Sequence, residues 1–281
     1  MKTRAFVALT TGALALTAVT VPAAHAGDRA ADPVSPFGSV TTAAAGAPTV
    51  SNLRVNGGKD LVVGVSKKAF TITFTAKDTR GVANGVAALW KGGPDADRAE
   101  KILVPPLEQQ ESDCVKVNRT TARCTATIVA DPKNPHPNPR FDLANAYAGR
   151  WDVAVYARGW DGSEYENQKY GKHSVKRAAK LTANASPEPV RRGADVTVTG
   201  DLTRANWDTL KYGGFTSGAV KLQYKKQGTT TWKTLKTVSA DSRGKVRTTT
   251  KASADGHYRL SYGGSTTTGG ATSAADFIDV R

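Results

Sequence analysis

From Pro48 onward the chain is a succession of short runs rich in β-branched and aromatic residues, separated by glycine, asparagine, aspartate or proline. No other feature constrains the fold as much, because short strands with turn residues at regular intervals are the pattern of an all-β sandwich. The clearest run is 70–76, where Phe70, Ile72 and Phe74 alternate with Thr71, Thr73 and Thr75. A period of two sends the rings to one face and the hydroxyls to the other, so this strand packs on one side only. Helical patterning is poor. Over residues 82–90, the longest apolar stretch of the mature chain that is not β-branched, Gly81 and Gly85 weaken any helix.

The same texture predicts strands at 49–55, 61–65, 70–76, 86–90, 101–104, 115–117, 124–129, 151–157 and 172–176. The segment 131–139 carries four prolines and must be a loop. A second region shows seven strands in about a hundred residues, at 181–185, 195–202, 220–226, 232–238, 245–251, 258–262 and 276–280. Gly228 and Gly244 stand in its turns, where a positive φ is needed. The expected fold class is all-β, with two tandem antiparallel sandwich domains at 48–178 and 179–281 joined by a short connection that limits bending.

The first residues read as an export signal. Lys2 and Arg4 are followed by an uncharged apolar run to Val21, and Ala24-His25-Ala26 supplies the small residues of a cleavage site. Residues 1–26 are therefore expected to be removed as a signal peptide. The run is shorter than the ~20 residues that span a bilayer and is interrupted by Pro22, so no transmembrane segment is expected in the mature protein. Residues 27–47, rich in Ala, Pro, Gly, Ser and Thr, have no apolar period and suggest a flexible leader. The expected location is secreted and extracellular.

Cys114 and Cys124 are the chain's two cysteines, and ten residues separate them. In an oxidising compartment such a pair is most simply a local disulfide; half of a metal site is the alternative, but two further ligands are missing nearby. The chain carries 39 Lys and Arg against 24 Asp and Glu, a net charge of +15. An exported basic protein would meet anionic cell-wall polymer, polysaccharide or another secreted protein before it met nucleic acid, which is the disfavoured partner. A general solubility charge is the plainer account, because no block of five like charges occurs.

At residues 255–260, Asp-Gly-His-Tyr-Arg-Leu, the sequence resembles the end of an immunoglobulin-type domain. The resemblance makes Tyr258 a structural tyrosine corner, whose hydroxyl would bond back to the backbone. Leu260 stands where antibody domains carry a cysteine, so apolar packing would replace the inter-sheet disulfide. In the first region Trp151, within Ala148-Gly149-Arg150-Trp151-Asp152-Val153, looks like the same strand entry. The run 220–280 resembles immunoglobulin-like modules of secreted actinobacterial proteins, and residues 56–64 look like the uncharacterised domains that precede such modules. The fold hosts adhesion, accessory and structural roles alike, so this implies architecture and leaves function open.

Catalytic patterns are missing from the mature sequence. His136 lies in the proline loop, His173 on an expected edge strand and His257 in the corner turn, with no HExxH, nucleophile elbow or phosphate loop. A triad can assemble from distant residues, so a cryptic hydrolase or a protease inhibitor stays as the lesser alternative to a non-catalytic binding module. No cofactor is expected. Calcium is a weak candidate at two acidic clusters, Asp95, Asp97 and Glu100, and Asp161, Glu164 and Glu166, although ordinary loop charge is the plainer reading. A carbohydrate site is the other alternative. Trp90 and Trp151 lie within apolar strands and are expected in the core, whereas Trp160, before Asp161-Gly162, and Trp207, in a polar loop at 203–218 with Tyr212 and Phe215, form the candidate ligand surface. The competing expectation is that these rings cap the end of a sandwich. Asn118-Arg119-Thr120 fits a glycosylation sequon, to which a bacterial-type signal gives no weight.

Overall fold

The computed structural model describes residues 46–106, 114–216 and 219–281. The expected signal peptide and residues 27–45 of the expected leader lie outside the described residues. Among the described residues, no helix is long and apolar enough to cross a membrane.

Nine strands build the first sandwich: β1 (Thr49–Val55), β2 (Leu61–Val63), β3 (Lys68–Lys77), β4 (Val82–Lys91), β5 (Lys101–Leu103), β6 (Cys114–Asn118), β7 (Thr121–Ala130), β8 (Gly149–Gly159) and β9 (Glu164–Arg177). One sheet runs β1-β3-β7-β6 and the other β2-β9-β8-β4-β5. The chain changes sheets between β1 and β2, and β2 then pairs parallel to β9 while the other named pairs are antiparallel. With its edge divided between two sheets, the strand order is that of an immunoglobulin-like domain.

Register explains why β3 reads as it does. Phe70 faces Ile128, Ile72 faces Ala126 and Phe74 faces Cys124, while Thr71 and Thr73 meet Thr127 and Thr125 on the other face. Apolar pairs thus line the core and hydroxyl pairs face outward. β4 lacks this alternation because both of its faces are covered. Ala87 and Leu89 enter the main core with Trp151, whereas Val86, Ala88 and Trp90 pack outward against Ile102 and Phe141. Phe141 reaches that position from the end of the proline-rich segment, where a short 3-10 turn (Pro139–Phe141) is capped by Asn138.

The two cysteines are bonded and stand directly opposite each other in the β6–β7 register, with Cα atoms 3.9 Å apart. The bond pins an edge strand within one sheet; it does not join the two sheets as the antibody disulfide does.

The second sandwich comprises β10 (Ala179–Leu181), β11 (Asn184–Ser186), β12 (Asp195–Asn206), β13 (Lys211–Gly214), β14 (Ala219–Lys226), β15 (Lys233–Ser239), β16 (Lys245–Lys251), β17 (Gly256–Tyr262), β18 (Ala271–Thr272) and β19 (Asp276–Ile278). β12 is the hub of one sheet, pairing with β10, β11, β13 and β16, and the other runs β15-β14-β17 with β18 and β19 on β17. A parallel bridge between Val190 and Val280 repeats the parallel edge of the first sandwich.

Several expectations change here. The strand expected at 181–185 divides into β10 and β11, and at Gly200 a Cβ would lie 2.1 Å from the Thr182 carbonyl, so only glycine admits that crossing. The loop expected at 203–218 is largely a hairpin, since β12 continues to Asn206 and turns into β13. β9 begins at Glu164 rather than Lys172, because residues 164–167, half-buried and without an apolar period, pair with β8. His173 is not on an edge, since β9 lies between β2 and β8.

Candidate functional site

The Trp207 surface expected from the sequence is a joint between the sandwiches. Trp207 is 1% exposed and belongs to the first core together with Ala205, although Ala205 lies in the second sandwich's β12 and Trp207 directly follows it. Its indole N–H donates to the Val63 carbonyl at 3.2 Å and its backbone N–H to Asn145 Oδ1 at 2.9 Å. Asn145 in turn donates through Nδ2 to Asn206 Oδ1 at 2.7 Å and through its backbone to Asp208 Oδ1 at 3.0 Å. Phe215 is buried in the second core beneath the Arg204 guanidinium, 4.1 Å from its ring, and Tyr212 packs on the first core under Lys180. Arg177 Nε donates to the Ala205 carbonyl at 2.6 Å, and burial together with neighbouring Arg204 pulls its pKa down to about 10. Two of the four expected ligand-surface residues, Trp207 and Tyr212, therefore pack across the joint, while Phe215 belongs to the core of the second sandwich.

Trp160 is the fourth, and it is 73% exposed. It stands at the opposite end of the first sandwich, in the β8–β9 turn. Gly159 N–H donates to the Ser163 carbonyl at 2.8 Å, closing that turn, and Trp160 N–H donates to the Gly81 carbonyl at 3.0 Å, tying it to the β3–β4 turn. Asp78 N–H donates to the Thr120 carbonyl at 2.8 Å and brings in the β6–β7 turn. The buried Asp78 carboxylate accepts from Arg80 N–H at 2.7 Å and from Ser163 Oγ at 3.2 Å. At Gly81, with φ +99°, a Cβ would lie 3.1 Å from both the Arg119 carbonyl and Trp160 Cδ1, so the three turns close only around glycine. The indole is thus presented by a hydrogen-bonded frame; Arg119 lies in the adjoining β6–β7 turn, while Arg80 is paired with Asp161 and Arg158 with Glu164.

All of the acidic-cluster residues except Asp97 are engaged with protein donors. Asp95 pairs with Arg98, whose guanidinium holds the exposed carboxyl below its usual range, and Asp97 lies near the same cation. Glu100 accepts from the Tyr147 hydroxyl at 2.6 Å. Asp161 takes Arg80 at 3.0 Å and Ser163 Oγ at 2.6 Å. Glu164 accepts from the Tyr156 hydroxyl at 2.7 Å, and burial and that carboxylate push the phenol up; Glu166 accepts from Gln168 at 2.6 Å. Among the described residues, no three His, Cys, Asp or Glu side chains converge as a metal site.

Tyr258 is buried at the start of β17, as the corner resemblance implies, but the hydroxyl that bonds the turn belongs to its neighbour. Tyr224 on β14, 5.0 Å from Tyr258 ring to ring, donates to the carbonyls of Ala254 at 2.9 Å and Asp255 at 3.1 Å. Trp151 makes the equivalent bond in the first sandwich, its indole N–H donating to the Tyr147 carbonyl at 2.8 Å. Trp232, which sequence reasoning passed over, stands beside β14 with the Arg259 guanidinium 3.9 Å from its ring. Arg80 and Arg119 were also passed over, and their nearest sequence signal is the turn pattern around Gly81.

No protein-family profile matches the chain, and no curated protein matches it. Among solved structures the chain is similar to dimeric latent PorU from Porphyromonas gingivalis, at 11% identity and a TM-score of 0.27, over 87% of this chain and 21% of that one. It is also similar to the mouse nectin-like molecule 4 ectodomain, at 12% identity and 0.25, over 83% of this chain and 64% of that one. For the adhesin InvE of Yersinia pseudotuberculosis the values are 10% and 0.25, over 83% and 60%. The chain spans less than two thirds of each. By its own sheet order and register, the described chain is two tandem immunoglobulin-like sandwiches.

Proposed function

We propose that this chain is a non-catalytic, secreted binding module that attaches to cell-envelope or extracellular macromolecules through its basic surface, with the Trp160 tip as the contact point. The observation that carries the reading is an indole 73% exposed on a frame of three interlocked turns. Large exposed aromatic rings are costly to leave in water, and a tryptophan held on a hydrogen-bonded turn loses little entropy on binding, which is the profile of an interface hot spot. Arg119, which has no ion pair among the described residues, adds a cation at the neighbouring β6–β7 turn, in keeping with the chain's net charge of +15. The Cys114–Cys124 bond fits an oxidising, extracellular setting. Because five of the six acidic residues, all but Asp97, already have protein donors, excess calcium is expected to leave the melting temperature unchanged.

The test is retention of the intact protein on purified envelope material across a salt series, beside Trp160→Ala. Retention that weakens with salt and drops in the variant is the expected result. Retention indifferent to both would overturn the reading.

A further inference from the structure

The outer face of the β1-β3-β7-β6 sheet is unusual in what it omits. Register places Ser51, Thr75 and Arg123 in one cross-strand row and Arg54, Thr73 and Thr125 in the next. Lys77 and Thr121 make the row nearest the Trp160 tip. No outward position of these four strands carries a carboxylate. On the β12–β16 sheet of the other sandwich two exposed lysines are paired with carboxylates, Lys245 with Asp201 and Lys251 with Asp195, while Arg247 has no ion pair among the described residues. Arg54 and Arg123 have neither an ion pair nor a side-chain hydrogen bond among the described residues.

The same face is also indented. The β1–β3 register shifts between Ser51 and Arg54, and Asn52 takes a φ of +53°, so the edge strand bulges. The result is a groove of about 370 Å³ lined by Asn52, Arg54, Thr73, Phe74, Thr75 and Arg123. Its floor is hydroxylic, since Phe74 belongs to the core. Two strand spacings and two residue rises put the Cα atoms of Arg54 and Arg123 about 12 Å apart. These are separated cations with neutral hydroxyls between them.

We infer that the groove binds a linear acidic polysaccharide, with Arg54 and Arg123 pairing carboxylates on the polymer and the threonine hydroxyls meeting its hydroxyl groups. The inference rests on the binding-module reading above and gives it a ligand class. Guanidinium forks match planar carboxylates. A polymer with charges spaced by hydroxylated units fits two cations flanking a threonine floor better than a densely charged phosphodiester would, and an outer face without aromatic rings has no stacking platform for bases. From the groove the path to Trp160 passes Lys77 and Arg119, the row of Lys77 lying about 13 Å from that of Arg54 along the strands. A chain of several sugar units therefore reaches both.

The experiment titrates the intact protein with uronate oligomers of increasing length, their carboxyl-reduced neutral counterparts and a single-stranded oligonucleotide, at several salt concentrations. It compares wild type with Arg54→Gln/Arg123→Gln and with Trp160→Ala. The expected result is affinity that grows with uronate length, no binding of the neutral oligomers, and at least a tenfold loss in the double variant for the longer oligomers. The double variant should also flatten the salt dependence by about two released counterions, while circular dichroism and melting stay at wild-type values. Wild-type affinity and salt slope in the double variant, with Trp160→Ala weakened, would overturn the groove and leave the binding-module reading standing. Tighter binding of the oligonucleotide than of the uronates would overturn the ligand class. If wild type bound none of the probes, the groove proposal would fail outright, and the envelope-retention assay would then decide the broader reading independently.

Discussion

Trp160 and Trp207 occupy matching local positions. Each is followed by an aspartate, and each stands where one antiparallel strand turns into the next, β8 into β9 and β12 into β13. One is 73% exposed and the other 1%. The turns themselves do not differ enough to account for this. The difference comes from what faces them across the chain: Trp207 meets the Val63 carbonyl and Asn145, 144 and 62 residues away in sequence, whereas Trp160 is tied through its backbone to Gly81, with one edge of its ring against that glycine and the rest open to solvent. A turn tryptophan thus becomes core or contact surface according to whether another layer covers it.

Trp207→Ala is the most disruptive way to break that contrast. Removing a fully buried indole from the first core should cost about 3–5 kcal/mol. It should also uncouple the sandwiches, so that one denaturation transition becomes two. Calorimetry or urea titration checks both points, and a loss below about 1 kcal/mol would show that the ring contributes nothing to the first core.

Asn145→Ala probes the same joint through its polar groups. Its side chain accepts from Trp207 N–H and donates to Asn206 and Asp208, so the truncation leaves several partners without a bond. About 1–3 kcal/mol of stability should be lost, again with separation of the two transitions. An unaltered single transition would mean that indole packing alone carries the coupling.

At the free end the corresponding polar centre is Asp78, which ties the β3–β4 turn to Ser163. Asp78→Ala should cost about 1–2 kcal/mol and leave the unfolding cooperative, since no second sandwich abuts that end. Hydrogen exchange at Gly81 and Trp160 is the sensitive readout; unchanged protection there would refute the idea of interlocked turns.

What could be read from the chain follows the same division between local and distant causes. The alternation at 70–76 and the apolar surroundings of Trp90 and Trp151 are local, and they correctly located a one-sided strand and two core rings. β13 and the first half of β9 were missed because Lys211, Tyr212 and residues 164–169 have no apolar period; pairing with β12 and β8 makes them strands. The corner hydroxyl was assigned to Tyr258 by its motif, yet two tyrosines face each other across β14 and β17, and no sequence pattern says which phenol reaches the Ala254 carbonyl. Arg54 and Arg123 lie 69 residues apart, and only the β1-β3-β7 register places them on one face.

Trp160→Ala should have the smallest effect on stability, within about 0.5 kcal/mol, as befits an exposed side chain. The turn keeps its bonds in the variant, because the Trp160 contact to Gly81 is made by the backbone. The indole's emission makes the comparison quantitative. Trp90, Trp151 and Trp207 are buried, so Trp160 should supply most of the fluorescence that acrylamide quenches in the native protein, with Trp232 contributing the rest. Losing the readily quenched component while the melting temperature holds would establish that the tip is built by its backbone and that its ring is free for a ligand. A fall of several degrees would mean instead that the ring is part of the fold, and that Trp160 and Trp207 differ in degree rather than in role.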